Sequence, residues 1–205
     1  MGWTSYNATH YKNGKIDRKA ECDAYFLEGL NRGHYEVLKS SMVGSTYYAA
    51  IKPLKKYGGE KGLYIDMPEE EQYVFAVIFI THTDMKDYYN FSYKDMDESC
   101  GPCYCECPKG ILDLLTPTDS EYANQWRQAC YENLERKKNR SVLNKLPIGS
   151  EIKYKRPNGE EVVAYRHPPA YQFKRPFWYL KNMGGMYVRT HNIPDDYEII
   201  KKGGI

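Results

Sequence analysis

The run QYVFAVIFITHT, Gln72 to Thr83, is the most apolar and β-branched stretch of the chain, and from Val74 to Ile80 it holds no polar residue. It is too short to cross a bilayer and is bounded by polar residues, so it reads as the central strand of a sheet. A central strand needs partners. YYNFSY follows it, with Tyr89, Phe91 and Tyr93 at period two, and reads as one neighbour. Upstream, YEVLKSSMV (Tyr35 to Val43) and TYYAAIKPL (Thr46 to Leu54) flank Gly44-Ser45 and read as a hairpin.

Helical patterns surround this sheet. Asp17 is placed to cap a helix running to about Asn31, with Ile16, Ala20, Ala24, Leu27 and Leu30 along one side and Gly33 at its stop. Pro108 suits the first position of a helix in PKGILDLL. Asp119 or Ser120 caps the longest helix, about 120–138, whose apolar face is Tyr122, Trp126, Ala129, Cys130 and Leu134. From Leu146 the pattern turns to short strands. SEIKYK, PNG and EEVVAYR form a hairpin signal, and PFWYLK, MGGMYVRTH and DYEII continue the sheet. The expectation is an α+β chain with helices beside a mostly antiparallel sheet and a small basic antiparallel sheet near the C-terminus. Residues 1–145 would form the α+β part and 146–205 the small β part, together one compact domain.

Charge is unevenly spread. Residues 1–118 carry 13 Lys and Arg against 17 Asp and Glu, and residues 119–205 carry 16 against 10. A basic half favours acidic partners such as nucleic acid. The candidate phosphate contacts are Arg136, Lys137, Lys138 and Arg140 in RKKNR, with Lys153, Lys155, Arg156, Lys174 and Arg175 and the further cation Arg166. They are interleaved with Tyr154, Tyr165, Tyr171, Phe173, Phe177 and Trp178, and aromatic rings stack on unpaired bases. Ordinary sheet packing explains the same aromatics. The 21 tyrosines of the chain fit either half-buried strands or a binding surface.

CGPCYCEC, residues 100–107, concentrates four of the six cysteines. As metal ligands, Cys100, Cys103, Cys105 and Cys107 would suit zinc or an iron–sulfur cluster, since thiolates are soft donors. Their spacing is poor for it: structural zinc sites usually draw the second pair from a distant segment, so incidental reduced thiols are the competing reading. Cys107 differs from the rest because it directly precedes the proline that should open a helix. A helix N-terminus lowers a thiol pKa and makes a nucleophile, with His167 or His191 as the candidate base. Asp95, Asp97 and Glu98 nearby suit a divalent ion or a solvated loop.

Over Phe91 to Tyr165 the layout resembles papain-like peptidoglycan hydrolases. CYCECPKGIL resembles their Asp-Cys helix start, with Glu106-Cys107, and PIGSEI resembles the turn that opens their sheet, with Gly149. The resemblance implies a papain-like arrangement with Cys107 as nucleophile. Where that family places its histidine, this chain has Glu160-Glu161. The whole chain also resembles a family of similar length carried by phages and conjugative elements of Gram-positive bacteria. MGWTSYNATHYKNGKIDRKAE, SYKDMDES, CPKGILDLLTPT and Trp126-Arg127 carry that likeness. It implies a mobile-element accessory protein.

The start of the chain lacks a basic segment followed by an apolar run, so a cytoplasmic location with reduced thiols is expected. The leading expectation is an anti-defence protein, anti-CRISPR-like, that binds a host protein, RNA or DNA complex without a cofactor. The alternatives are a thiol hydrolase using Cys107 and a zinc-stabilised interaction module.

Overall fold

A computed structural model of the 205-residue chain describes residues 4–58, 63–85, 88–95, 104–181 and 186–204, with backbone alone over 4–6, 82–85 and 88–95. The class is α+β, with antiparallel sheets. The chain divides into two compact units, residues 1–134 and 135–205, and the division falls inside the longest helix.

In chain order the first unit holds β1 (Thr4–Asn7), the small hairpin β2 (Tyr11–Lys12) and β3 (Lys15–Ile16), and helix α1 (Arg18–Leu27). Next come β4 (Tyr35–Val43), β5 (Thr46–Pro53) and a second small hairpin, β6 (Lys55–Tyr57) with β7 (Tyr64–Asp66). Strands β8 (Phe75–Met85) and β9 (Tyr88–Asp95) follow, then the one-turn helix α2 (Lys109–Leu112). The main sheet has the order β1-β9-β8-β5-β4, so the apolar run does occupy the centre. Pairing of Tyr47 with Phe79, Ala49 with Val77 and Ile51 with Phe75 sends these six side chains to one face, onto Cys22 and Phe26 of α1. Tyr48, Ala50, Ala76 and Ile78 point the other way, onto Cys107, Ile111, Leu112, Trp126 and Cys130. Both faces of β5 and β8 are covered, which is why the run shows no polar alternation.

Helix α1 begins as expected, with the Asp17 carboxylate accepting from the Ala20 amide at 3.1 Å. Its buried face is different. Cys22 and Phe26, one turn apart, enter the core, while Leu27 is exposed and Leu30 is 95 % exposed. The helix ends at Leu27 and Gly29 turns the backbone to φ +60°, so Leu30 leaves the helical register. Beside the core, buried Glu21 accepts from the Thr9 and His10 amides, both at 2.5 Å, and so ties the preceding segment to the helix. Pro108 stands just outside α2 rather than at its first position.

Helix α3 (Glu121–Lys145) outruns the expected end near 138. The Ser120 hydroxyl caps it, accepting from the Ala123 amide at 3.3 Å. No glycine or proline interrupts it before Pro147, and Leu143 is buried in the second unit's core, which anchors the extra turns. The RKKNR segment therefore lies within the helix and not at its C-terminus.

The second unit adds β10 (Glu151–Lys155), β11 (Glu161–His167), β12 (Phe177–Leu180), β13 (Tyr187–Val188) and β14 (Glu198–Lys201). They form an antiparallel five-stranded sheet of order β13-β12-β11-β10-β14. One face packs Ile152, Tyr154, Val162, Ala164, Trp178 and Leu180 against Leu143 and Ile193.

Candidate functional site

Strands alternate their side chains between two faces, so the residues between those core positions define the other face of the second sheet. On β11 these are Val163, Tyr165 and His167, and on β12 Phe177 and Tyr179. An open antiparallel face ordinarily carries polar residues; this one carries the Lys153–Glu161 and Lys181–Glu151 ion pairs along β10 and its neighbours, but rings across β11 and β12. Tyr165 pairs with Tyr179, His167 with Phe177, and Tyr179 with Tyr187, in adjacent rows across three strands. Ring centroids lie 5.6 Å apart for Tyr165 and Tyr179 and 4.9 Å for His167 and Phe177.

The segment between β11 and β12 adds a wall. Ala170 and Phe173 exchange both backbone hydrogen bonds, at 3.0 and 2.8 Å, closing a tight turn. The turn holds the Phe173 ring 4.4 Å from Phe177 and 4.8 Å from Tyr187. Tyr171 at its tip is fully exposed. Together these rings and His167 surround a cavity of about 480 Å³, within the usual range for small-ligand sites. The His167 Nδ1 lies 2.8 Å from the Pro168 carbonyl, which can only accept, so in the neutral ring Nδ1 carries the proton and Nε2 is an acceptor.

Two cations follow the turn in the chain. Lys174 and Arg175 follow Phe173 directly, are exposed, and have no ion-pair partner among the described residues. Other basic candidates are engaged. Lys153 pairs with Glu161 at 2.8 Å, Arg156 with Glu160 at 3.2 Å, Lys138 with Glu135 at 3.3 Å and Arg136 with Asp195 at 3.6 Å. The Lys153 ammonium holds the Glu161 carboxyl below its ordinary pKa, and the carboxylate raises that of Lys153. Lys155 also lies near Glu161. Exposed pairs of this kind are weak, so these cations remain open to exchange for a phosphate. Lys137 and Arg140 are carried by the same helix as Arg136.

Comparison with family models, with curated proteins and with solved structures gave no match.

Several candidates from the sequence are placed elsewhere. Arg166 is buried, donates to the Asn144 carbonyl at 2.7 Å and lies 5.5 Å from the Trp178 ring, so it is a core cation and not a phosphate contact. Burial lowers its pKa. Tyr154 and Trp178 lie in the core as well. Cys107 is fully buried in the first unit, and desolvation raises its thiol pKa strongly, with nearby Cys130 acting in the same direction. The nucleophile reading required the opposite shift. A single helical turn sums few peptide dipoles, and Pro108 stands between Cys107 and that turn. His167 and His191 belong to the second unit, the former in the cup and the latter exposed on a short 3₁₀ turn.

Of the four proposed metal ligands, Cys100 and Cys103 lie outside the described residues, as do the side chains of Asp95, Asp97 and Glu98. Cys105 is half-buried and hydrogen-bonded to Cys130, with burial raising its pKa. Among the described residues no group of three or more His, Cys, Asp or Glu side chains is arranged to hold a metal, and no helix is long and apolar enough to cross a membrane.

Tyr179 and Tyr187 escaped the sequence reading, and His167 entered it only as a base. The signal was present: Tyr165 and His167, then Phe177 and Tyr179, each fall at period two, out of phase with the core residues of the same strands.

Proposed function

We propose that this chain is an accessory protein of a mobile genetic element that binds a host nucleic acid or nucleoprotein complex, in the manner of an anti-defence protein. The observation that supports binding is the cavity lined by the rings of β11, β12 and the 170–173 turn, followed in the chain by Lys174 and Arg175, which have no ion-pair partner among the described residues, within the basic half of the chain. Phosphates are neutralised by such cations, and bases stack on such rings. A binding role also agrees with Cys107, which is fully buried, with desolvation raising its thiol pKa.

The test is binding of labelled RNA and DNA at low salt, followed by titration with salt. Replacing both Lys174 and Arg175 with Glu is expected to weaken binding and flatten its salt dependence. No binding of any RNA or DNA at low salt removes this reading. A host target is then sought by recovering nucleoprotein complexes with the wild-type chain and with the double variant; only a complex that the variant fails to recover counts.

A further inference from the structure

Resting on that nucleic-acid reading, we infer that the cup on the second sheet takes an unpaired base, so that the ligand is single-stranded RNA or DNA and not a duplex. Three observations carry this. First, the rings do not form a flat platform. Tyr165 and Tyr179 are tilted by 58°, Phe173 and Tyr187 by 59° and His167 and Phe177 by 32°, and they line an open, shallow concavity. About 480 Å³ accommodates a ligand the size of one nucleotide. A base reaches such a space only when it has no partner, because a paired base presents an edge and not a face.

Second, exposed cations follow the wall of the cup in the chain. A pocket for a quaternary ammonium or a methylated lysine uses its rings to hold a cation. The exposed cations Lys174 and Arg175 follow the wall residue Phe173 in the chain, which favours a ligand carrying phosphates over a cationic one, and Glu151, opposite Tyr165 on the same face, is neutralised by Lys181 at 2.7 Å. Third, the polar groups of the cup are the Gln172 amide, the His167 ring and the hydroxyls of its tyrosines. His167 Nε2 is an acceptor in the neutral ring, and the tyrosine hydroxyls lie at the tips of their rings. Stacking on the rings tolerates every base, so sequence preference is expected to come only from Gln172, His167 and the hydroxyls.

The experiment compares four kinds of probe on the full chain by fluorescence anisotropy: a short oligothymidine, an RNA strand of mixed sequence, the duplex of each with its complement, and heparin, a polyanion without bases. Both single strands are expected to bind at least about tenfold tighter than the duplexes or heparin at equal salt. Phe177→Ala is expected to weaken single-strand binding by about fivefold to about 150-fold, the range for loss of one stacked base, with little change for heparin. Phe173→Ala and Tyr171→Ala, on the turn and outside the sheet, repeat the test where the fold does not depend on the ring, and circular dichroism checks each variant. Equal affinity for single strand and duplex, or a preference that survives all three substitutions, overturns the cup as a base site while leaving nucleic-acid binding in place. Heparin binding as tightly as the single strands reduces the interaction to charge and also overturns it. Failure to bind every probe removes both this inference and the reading beneath it.

Discussion

Cys107 shows how far a local motif can mislead at the scale of one residue. Its place before Pro108 suggests an activated thiol, but the adjoining Glu106 carboxylate opposes activation, and Ile111, Leu112 and Trp126 share its core cluster and exclude water from it. Burial without a compensating charge favours the neutral thiol. Limiting iodoacetamide on the folded protein is expected to modify half-buried Cys105 before Cys107, and Cys107 to label readily only after denaturation. Peptide mapping that finds Cys107 labelled first would restore the nucleophile reading. Gly203 is a second local case. A methyl group there would meet the Ile148 carbonyl and the Ser150 amide, whereas at Gly204 it would meet open space. Gly203→Ala is expected to cost about 1–3 kcal/mol in chemical denaturation and Gly204→Ala almost nothing. Neither outcome is visible in the sequence GGI, because the clash comes from a segment over fifty residues away.

At the scale of elements, helix α3 was easy to find and hard to end. Its first-half face of Tyr122, Trp126, Cys130 and Leu134 was legible from spacing, and those residues do pack on the first unit's core. The helix also secures the segment after the undescribed part of the cysteine loop. Trp126 donates its indole N–H to the Tyr104 carbonyl at 3.1 Å, and the Asn133 side-chain amide donates to the Cys105 carbonyl at 2.8 Å. Asn133→Ala is expected to destabilise the protein by about 1 kcal/mol and to speed iodoacetamide modification of Cys105, because the adjoining backbone is no longer tied down. Unchanged labelling with unchanged stability would show that the hydrogen bond is not formed in solution. Ser120→Ala removes the helix cap and is expected to lower stability by about 1 kcal/mol as well, without affecting Cys105. The run Arg136 to Arg140 looked like a charged helix terminus because no apolar residue follows until Val142; burial of Leu143 in the other core carries the helix onward.

At the scale of the whole molecule, the acidic first part and the basic second part bear directly on the proposed function. Replacing Lys137, Lys138 and Arg140 together with Glu is expected to weaken single-strand binding and to reduce the slope of log affinity against log salt by about 0.7 for every phosphate these residues neutralise. A changed affinity with an unchanged slope would assign those residues to stability and not to phosphate. Period, turn residues and caps are local properties, and through them the sequence by itself determined the central strand, the two main hairpins, the caps of α1 and α3 and the α+β class. Which of two chemically similar residues faces solvent depends on what packs against it. Arg166 and Lys174 read alike as cations, and Trp178 and Phe177 read alike as adjacent aromatics in a strand. Only the tertiary structure separated them, because β11 and β12 have one face against the Leu143 and Ile193 core and the other open. That pairing buries Arg166 with Trp178 and collects Tyr165, His167, Phe173, Phe177, Tyr179 and Tyr187 around one cavity. These positions lie up to 22 residues apart in the chain, and strand register, a long-range property, brings them together.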